Sequence, residues 1–311
     1  RQMCIRDSYY YVNYPQVFDG EEHEGYYTQE QIKDVVAYAA SKYINVVPEI
    51  EMPGHALAAL ASYPELSFDS TQTYKVSPTW GVFEQVFCPS ETTFKFFEGV
   101  MDEVVELFPS EYIHIGGDEC PKTAWKNSAF CQQLIRQLGL KDDVTPSKVD
   151  GVKHSKEDKL QSYFVTRMEK YLNDKGRNII GWDEILEGGL APNATVMSWR
   201  GVEGGLNAAK AGHNAIMTPM PYAYLDFYQE DPAIAPTTIG GYTTLKKTYS
   251  YNPAPDDADE LVKKHVIGMQ GNIWREYMKN SDRTDYQAFP RAMAIAETGW
   301  TLDANIMAGR D

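Results

Sequence analysis

Two adjacent carboxylates, Asp118 and Glu119, are the side chains best suited to chemistry in this sequence. They follow a short apolar segment, 112–115, and the pair Gly116-Gly117. An apolar run that ends at two glycines is typical of a buried strand that stops at a turn. Neighbouring side chains on a strand point to opposite sides, so both carboxylates can face one ligand only where glycine lets the backbone bend. The pattern predicts a strand with an acidic pair at its carboxyl end, although an ordinary solvated turn would also carry such a pair.

The chemistry that this pair favours is cleavage of a glycosidic bond. One carboxyl group must be protonated to give a proton to the leaving oxygen, and a neighbouring charge with partial burial raises its pKa toward that task. The second group faces the positive charge that develops near the anomeric carbon. A metal-dependent hydrolase is the alternative, because His55, His114, Asp118 and Glu119 all carry atoms that can bind a divalent cation. His114 lies inside the apolar segment, which favours a buried, hydrogen-bonded histidine over a metal ligand.

The composition narrows the class of partner. The chain has 311 residues, of which 43% are hydrophobic, and a formal net charge of −15. This charge argues against nucleic acid and against an anionic membrane surface, and no apolar run approaches the length of a membrane span. The 21 tyrosines, 12 phenylalanines and 6 tryptophans suit either a sugar site or a core. The cysteines (Cys4, Cys88, Cys120 and Cys131) lack the short paired spacings of a zinc site, and they leave the redox compartment open.

Helical and strand-like segments alternate along the chain. A capping box at Thr28 and Gln31 opens one predicted helix, and apolar residues at helical spacing mark others near 97–108 and 160–172. This alternation predicts a parallel sheet. In a (β/α)8 barrel the strand ends converge on one face, whereas a dinucleotide-binding sheet would carry a Gly-x-Gly-x-x-Gly sequence that is missing here. We therefore expect an α/β fold of the (β/α)8 TIM-barrel type, with strands at 45–49, 112–115, 178–184, 195–200, 214–219 and 266–276.

A family resemblance becomes specific at residues 114–119. The sequence His-Ile-Gly-Gly-Asp-Glu resembles the signature of glycoside hydrolase family 20, the β-N-acetylhexosaminidases. Five further segments match that family in its own order, and together the matches cover roughly residues 20–300, with any one weak and the ordered set specific. The five segments are 47–55, 181–184, 198–201, 224–226 and 274–276.

The resemblance implies removal of a terminal β-linked N-acetylglucosamine or N-acetylgalactosamine with retention. The 2-acetamido oxygen of the substrate attacks the anomeric carbon and forms an oxazolinium ion, so no enzyme nucleophile is needed. Glu119 is then expected to act as general acid and afterwards as general base. Asp118 holds the acetamido N–H, and Tyr224 bonds the acetamido oxygen.

The same resemblance implies a set of residues that contact or support the bound sugar. Three tryptophans are expected to wall the pocket, although the residues alone would equally suit a core. Glu51 stands where many relatives carry Asp, and Asp183 could instead cap the helix that follows it. The sugar-contacting residues are His55, Trp182, Trp199, Tyr224, Asp226, Trp274 and Glu276, and the supporting ones are His114, Glu51 and Asp183.

The chain departs from the family at both ends. Residues 1–8 resemble neither a signal peptide nor a regular element, and we expect a non-native or disordered start there. Two β/α units that relatives place before residue 20 have no match, so residues 9–311 are predicted to be a partial catalytic barrel domain, truncated at both ends. An exposed sheet edge on each side of the gap would follow. This fragment alone would then be poorly folded or inactive.

The expected partners are amino-sugar glycans, with no cofactor, no metal, no nucleic acid and no membrane insertion. The family resemblance implies export of the protein to a periplasm, an outer membrane or the outside of the cell. Two other functions stay open besides the metal hydrolase. One is a non-catalytic module that binds amino sugars, and the other is a related specificity such as release of a disaccharide.

Overall fold

The computed structural model describes residues 26–77, 81–255 and 257–301. The chain forms two compact units, 1–194 and 195–311, called here the N-terminal and the C-terminal unit. The expected non-native start at residues 1–8 lies outside the described residues and stays a prediction. Among the helices of the described segments, each is too short or too polar to cross a bilayer.

The N-terminal unit alternates helices with two strands. Parallel pairing joins β1 to β2, with Ile113 opposite Ile179. In chain order its elements are α1 (Gln29–Ser41), α2 (Leu57–Ser62), α3 (Glu91–Leu107), β1 (Tyr112–His114), α4 (Thr123–Asn127), α5 (Ala129–Gln137), α6 (Lys156–Asp174) and β2 (Asn178–Trp182), with 3-10 turns at Pro64–Leu66 and Asp183–Leu186.

The predicted strand 45–49 is wrong as a continuous element. Only Glu49 forms a bridge, which pairs it in parallel with His114. Pro48 accepts a bond from the amide of His114 but has no N–H to donate. Ile44 and Val47 are exposed, so the apolar segment lacks the burial that a central strand would have.

The helices of this unit begin and pack as their sequences predict. Thr28 and Gln31 form the expected capping box of α1. The face of α3 buries Phe94, Phe97 and Met101, and Phe94 lies with its ring centroid 4.7 Å from that of Phe164 on α6. These phenylalanines form core rather than a binding surface, and truncating one to alanine costs about 3–5 kcal/mol in such a setting.

The C-terminal unit contains three parallel strands, with β4 pairing both β3 and β5. Beyond β4, an isolated bridge joins Tyr224 to Asn272, so the segments that follow β4 and β5 also run side by side. Its elements are β3 (Thr195–Ser198), α7 (Glu203–Lys210), β4 (Ala215–Met217), α8 (Met220–Ala223), α9 (Leu245–Tyr249), α10 (Glu260–His265), β5 (Val266–Met269), α11 (Ser281–Ala288) and α12 (Arg291–Trp300).

Candidate active site

The acidic pair lies on a sharply bent loop after β1. Gly116 and Gly117 adopt φ values of 69° and 96°, and Glu119 itself has φ 45°. A Cβ atom on Gly116 would come within 2.1 Å of Glu51 Oε1, so the position accepts only glycine. A left-handed glutamate costs on the order of 1 kcal/mol or more, and such strain is concentrated at functional sites. The glycine pair thus turns the chain as its sequence predicts.

His55 joins the two carboxylates. Its Nε2 lies 3.3 Å from Asp118 Oδ2 and 3.4 Å from Glu119 Oε2. His55 also has a positive φ, 46°. The hydrogen bond to Asp118 raises the pKa of His55, and the charges of Asp118, Glu119 and Glu184 add to this rise, while burial opposes it. The imidazolium therefore holds the two acidic side chains on one side of the loop.

Glu51 supplies a second contact to Asp118. Burial raises the pKa of Glu51 well above its usual range, and the charge of Asp118 raises it further. The protonated Glu51 carboxyl donates to Asp118, and its Oε1 accepts the amide of Gly117 at 3.0 Å. A neutral Glu51 therefore supports the Asp118 anion instead of repelling it.

Asp118 is the ionised member of this group. Burial acts to raise the pKa of Asp118, but the hydrogen bond and charge of His55, together with the bond from Glu51, outweigh burial and lower it. Its second oxygen, Oδ1, is buried and has no hydrogen-bond partner among the described residues. A buried anionic oxygen of this kind is suited to accept an N–H from a ligand.

His114 and Trp182 form a layer beneath this loop. Burial lowers the pKa of His114 to about 4, and its Nδ1 accepts the amide of Gly116 at 3.0 Å. The contact of 3.3 Å between Nδ1 and Glu49 is therefore not an ion pair, because the imidazole is neutral. Trp182 Nε1 donates to Glu49 Oε1 at 2.9 Å, and the rings of Trp182 and His114 lie 4.8 Å apart. His114 positions the loop and does not join the acidic cluster.

The structure brings only some of the four candidate metal ligands together. Ligand atoms of His55, Asp118 and Glu119 lie within 4.8 Å of one another, whereas His114 faces Gly116 and Glu49. The imidazole of His55 already lies in ion-pair contact with both carboxylates. Three of the four candidate metal ligands thus come together, with His55 between the two acids.

Asp183 and Glu184 occupy the 3-10 turn that follows β2, and both are buried. The charge of Glu184 contributes to the raised pKa of His55. The family resemblance implies a supporting role for Asp183 and none for Glu184. The sequence does not decide which of the two acids acts on His55, because adjacent residues on a tight turn point in different directions.

The remaining sugar-binding candidates belong to the C-terminal unit. Burial raises the pKa of Asp226 to about 7, and the nearby charge of Glu276 adds to this rise. Burial also raises the pKa of Glu276. Asp226 Oδ1 and Glu276 Oε2 are buried without a hydrogen-bond partner among the described residues. The two oxygens can therefore accept hydrogen bonds from hydroxyl groups of a ligand.

The same unit carries the aromatic candidates. The rings of Trp199 and Tyr224 are 6.3 Å apart and inclined by 30°. Tyr224 is buried, whereas Trp274 is 38% exposed. The structure therefore brings Trp199 and Tyr224 together, and it leaves a large part of Trp274 open to solvent.

Arg291 is a supporting residue that sequence analysis missed. Its fully buried guanidinium donates to the carbonyl oxygens of Leu225 (2.6 Å), Thr243 (2.8 Å), Gln287 (2.8 Å) and Phe227 (3.2 Å). Burial lowers the pKa of Arg291 to about 10, while the charge of Asp226 opposes this fall. The group stays protonated near neutral pH and holds the segment that carries Tyr224 and Asp226. An arginine at the first position of α12, directly before the apolar residues 292–296, was the available signal.

Comparisons with known proteins identify the family of this chain. The model of the family "Glycosyl hydrolase family 20, catalytic domain" matches residues 7–303. The β-hexosaminidase of Porphyromonas gingivalis is 50% identical over 285 residues, which cover 91% of this chain and 35% of that protein. The β-hexosaminidase of Vibrio furnissii is 36% identical over 295 residues, which cover 93% of this chain and 45% of that protein. This chain thus spans less than half the length of either relative.

Solved structures give the same result. The exo-β-N-acetylglucosaminidase of Vibrio harveyi, solved with N-acetylglucosamine, superposes with a TM-score of 0.75 and 32% identity, covering 93% of this chain and 44% of that one. A β-N-acetylhexosaminidase of Bacteroides fragilis superposes with a TM-score of 0.73 and 31% identity, covering 98% and 58%. The predicted α/β fold of TIM-barrel type is confirmed, and the chain belongs to glycosyl hydrolase family 20.

Proposed function

We propose that this chain carries the acid/base and the acetamido-orienting residues of a retaining exo-β-N-acetylhexosaminidase. Its substrates would be glycans that end in β-linked N-acetylglucosamine or N-acetylgalactosamine. The observation that carries the proposal is the convergence of Asp118 and Glu119 on His55 Nε2, at 3.3 Å and 3.4 Å. Relatives of this chain are β-hexosaminidases, and one was solved with N-acetylglucosamine.

Asp118 prepares the internal nucleophile in this mechanism. Its free Oδ1 accepts the acetamido N–H, which fixes the acetamido oxygen for attack on the anomeric carbon. As the oxazolinium ring closes, the amide gains positive charge, and the Asp118 anion stabilises that charge more strongly than it stabilises the neutral amide. The lowered pKa of Asp118 keeps this carboxylate ionised for the task.

Glu119 moves the proton in both steps. It protonates the glycosidic oxygen as the bond to the anomeric carbon breaks. The resulting carboxylate then removes a proton from the water that opens the oxazolinium ion, so the acid of the first step becomes the base of the second. The side chain is 37% exposed, which leaves a path to the leaving group and to water.

The C-terminal unit contributes the proposed binding of the sugar. Asp226 and Glu276 present acceptor oxygens for hydroxyl groups of the terminal sugar. Trp199, Trp274 and Tyr224 present ring faces of the kind on which sugar C–H groups pack. Tyr224 would also donate its hydroxyl to the acetamido oxygen.

A comparison of two substrates tests this function. The intact protein is assayed on an aryl N-acetyl-β-glucosaminide and on the matching aryl β-glucoside, which carries a plain hydroxyl at carbon two. We expect turnover of the first with a β-configured initial product, detected by proton NMR, and at least about a thousandfold lower kcat/KM on the second, since the internal nucleophile is missing. Equal kcat/KM on both substrates would contradict substrate assistance, and binding without any hydrolysis would favour the non-catalytic module.

A further inference from the structure

Two buried cysteines of the N-terminal unit lie side by side, and the proposed hydrolysis uses neither. Cys88 lies two residues before Ser90, the N-cap of α3, and Cys131 lies in the first turn of α5. Their relative exposures are 5% and 0%. Both are free cysteines in the structure, and their thiols are hydrogen-bonded to each other.

Trp125 connects the two segments independently of the sulfur atoms. Its indole Nε1 donates to the carbonyl oxygen of Phe87 at 3.1 Å, and Phe87 precedes Cys88. Its own carbonyl oxygen accepts from Nε2 of Gln132 at 3.1 Å, and Gln132 follows Cys131. Trp125 is fully buried, so this double contact fixes the segment before α3 against α5. The proximity of the thiols is therefore a property of the packing.

Cys120 provides an internal contrast. It belongs to the same apolar cluster as Cys131 and Trp125, but its Sγ donates to the carbonyl oxygen of Pro121, at 4.0 Å, and burial raises its pKa to about 12. In the paired thiols, the hydrogen bond from Cys88 lowers the pKa of Cys131, with Ser128 adding to this fall, while the same bond raises the pKa of Cys88. Cys131 is thus the better thiolate, with a partner sulfur in contact.

We propose that Cys88 and Cys131 form a disulfide bond that cross-links the segment before α3 to the first turn of α5. The oxidant is another disulfide, such as glutathione disulfide or a disulfide-carrying oxidoreductase. The Cys131 thiolate attacks one sulfur of that disulfide and releases the first thiol, and the Cys88 thiolate then attacks Cys131 Sγ and releases the second. Two S–H bonds are replaced by one S–S bond, and the two protons leave with the two released thiols. Because both sulfurs are buried, the exchange takes place while this unit folds.

The cross-link would close a loop of chain that contains α3, β1 and the pair Asp118-Glu119. Closing such a loop stabilises a protein mainly by restricting its unfolded chain. Cys120, the neighbour of Glu119, packs in the cluster that contains Cys131. The disulfide would therefore stabilise the core beneath the bent loop without contact to the reacting atoms.

Peptide mapping tests the pairing directly, because trypsin places every cysteine on a different peptide. The intact protein is refolded in a glutathione buffer with excess glutathione disulfide, quenched and alkylated in acid, digested without reductant and analysed by mass spectrometry. We expect one cross-linked species, of peptides 76–95 and 127–136, that is absent after reduction. Full alkylation of both peptides, or a cross-link to the peptide of Cys4 or Cys120, would overturn the proposal. The separate peptides of those two cysteines are 2–6 and 96–122.

A matched set of variants tests the consequence. We expect reductant to lower the Tm of the oxidised wild-type protein by about 5–10 °C and to leave the double variant Cys88→Ala/Cys131→Ala unchanged. The control Cys120→Ala should keep both the cross-link and the sensitivity to reductant. An equal Tm of wild-type protein with and without reductant would show that the bond is not formed or does not stabilise, and the mapping decides between these two results even if a variant fails to fold.

Discussion

The carboxyl group of Glu51 donates a hydrogen bond to the carboxylate of Asp118, so the two buried acids share one proton. Glu51 also accepts the amide of Gly117, on the same loop. The neutral acid and the adjacent amide together hold Asp118 with its Oδ1 free. The ionisation of Asp118 in the proposed mechanism therefore depends on a neighbour that stays protonated.

Replacing Glu51 by glutamine tests this dependence. Glutamine keeps one donor and one acceptor but cannot ionise, so we expect Glu51→Gln to retain kcat/KM within about tenfold near neutral pH. Because the pKa of Glu51 is raised well above its usual range, the wild-type acid loses its proton only as the pH rises through that higher value, and a second anion then faces Asp118. The variant should therefore keep its activity to higher pH than the wild type. Identical alkaline limbs in the two pH profiles would contradict the role of Glu51.

Glu119→Gln separates the proton-transfer role from the orienting role. We expect kcat on an N-acetylated disaccharide to fall about 10²–10⁴-fold, because the leaving oxygen no longer receives a proton. On an aryl glycoside with an acidic leaving group the loss should be much smaller. The control Glu106→Gln removes an exposed carboxylate from α3 and should change neither rate. A wild-type rate of Glu119→Gln on the disaccharide would rule out the assignment.

Asp118→Asn should damage every substrate, regardless of leaving group. The amide side chain cannot balance the positive charge of the oxazolinium ion, and we expect kcat to fall about 10²–10³-fold. The measurement is kcat on the disaccharide and on the activated aryl glycoside, compared as a ratio. A loss confined to the disaccharide would assign Asp118 to proton transfer instead.

The pH dependence of stability should reveal the contact between His55 and Asp118. The folded pKa of His55 is raised above 6.5, so its stabilising contribution is fully present below pH 6.5 and is lost as pH rises through the folded value. The pKa of Asp118 is lowered below 3.8, so its contribution is present above pH 3.8 and is lost as pH falls through the folded value. We expect the Tm difference between wild type and His55→Gln to be largest between pH 3.8 and pH 6.5. It should shrink as the pH rises through the folded pKa of His55. A difference that grows as the pH rises above 6.5 would contradict the protonated His55.

Arg291 should matter for both folding and substrate binding. Arg291→Met removes the donor of four carbonyl oxygens, three of them in buried hydrogen bonds, and we expect a loss of about 3 kcal/mol or more in the free energy of unfolding. Arg291→Lys keeps the charge but cannot reach all four oxygens, so its loss should be smaller while KM still rises. Denaturant unfolding and KM measured below the transition check both effects. The exposed Arg136→Met is the control and should change neither quantity.

Chelation distinguishes this ion-paired cluster from a metal site. His55 Nε2 already contacts both Asp118 and Glu119, and the proposed mechanism has no step that needs a cation. We expect dialysis against EDTA to leave kcat/KM unchanged. A loss that Zn²⁺ or Mg²⁺ restores would establish the metal-dependent alternative.

The local pattern of the sequence determined much of this protein. Helical periodicity over residues 97–108 placed Phe97 in the core, and the capping box at Thr28 gave the start of α1. The run before Gly116 predicted β1 and the bend that follows it. These features depend on neighbours within one turn or one strand, so the sequence contains their cause. The predicted strand 45–49 failed because Pro48 has no amide hydrogen to donate and the flanking side chains stay exposed.

The tertiary structure alone decided which distant groups share protons and charges. Glu51 and His55 act on Asp118, and Glu184 acts on His55, through contacts and charges that connect separate loops. Arg291 holds carbonyl oxygens of segments that precede it in the chain, and Cys88 meets Cys131 only through the packing around Trp125. Hydrogen bonds and pKa shifts depend on separations of a few ångströms and on the removal of water. Residue identities name the possible partners, and folding selects among them.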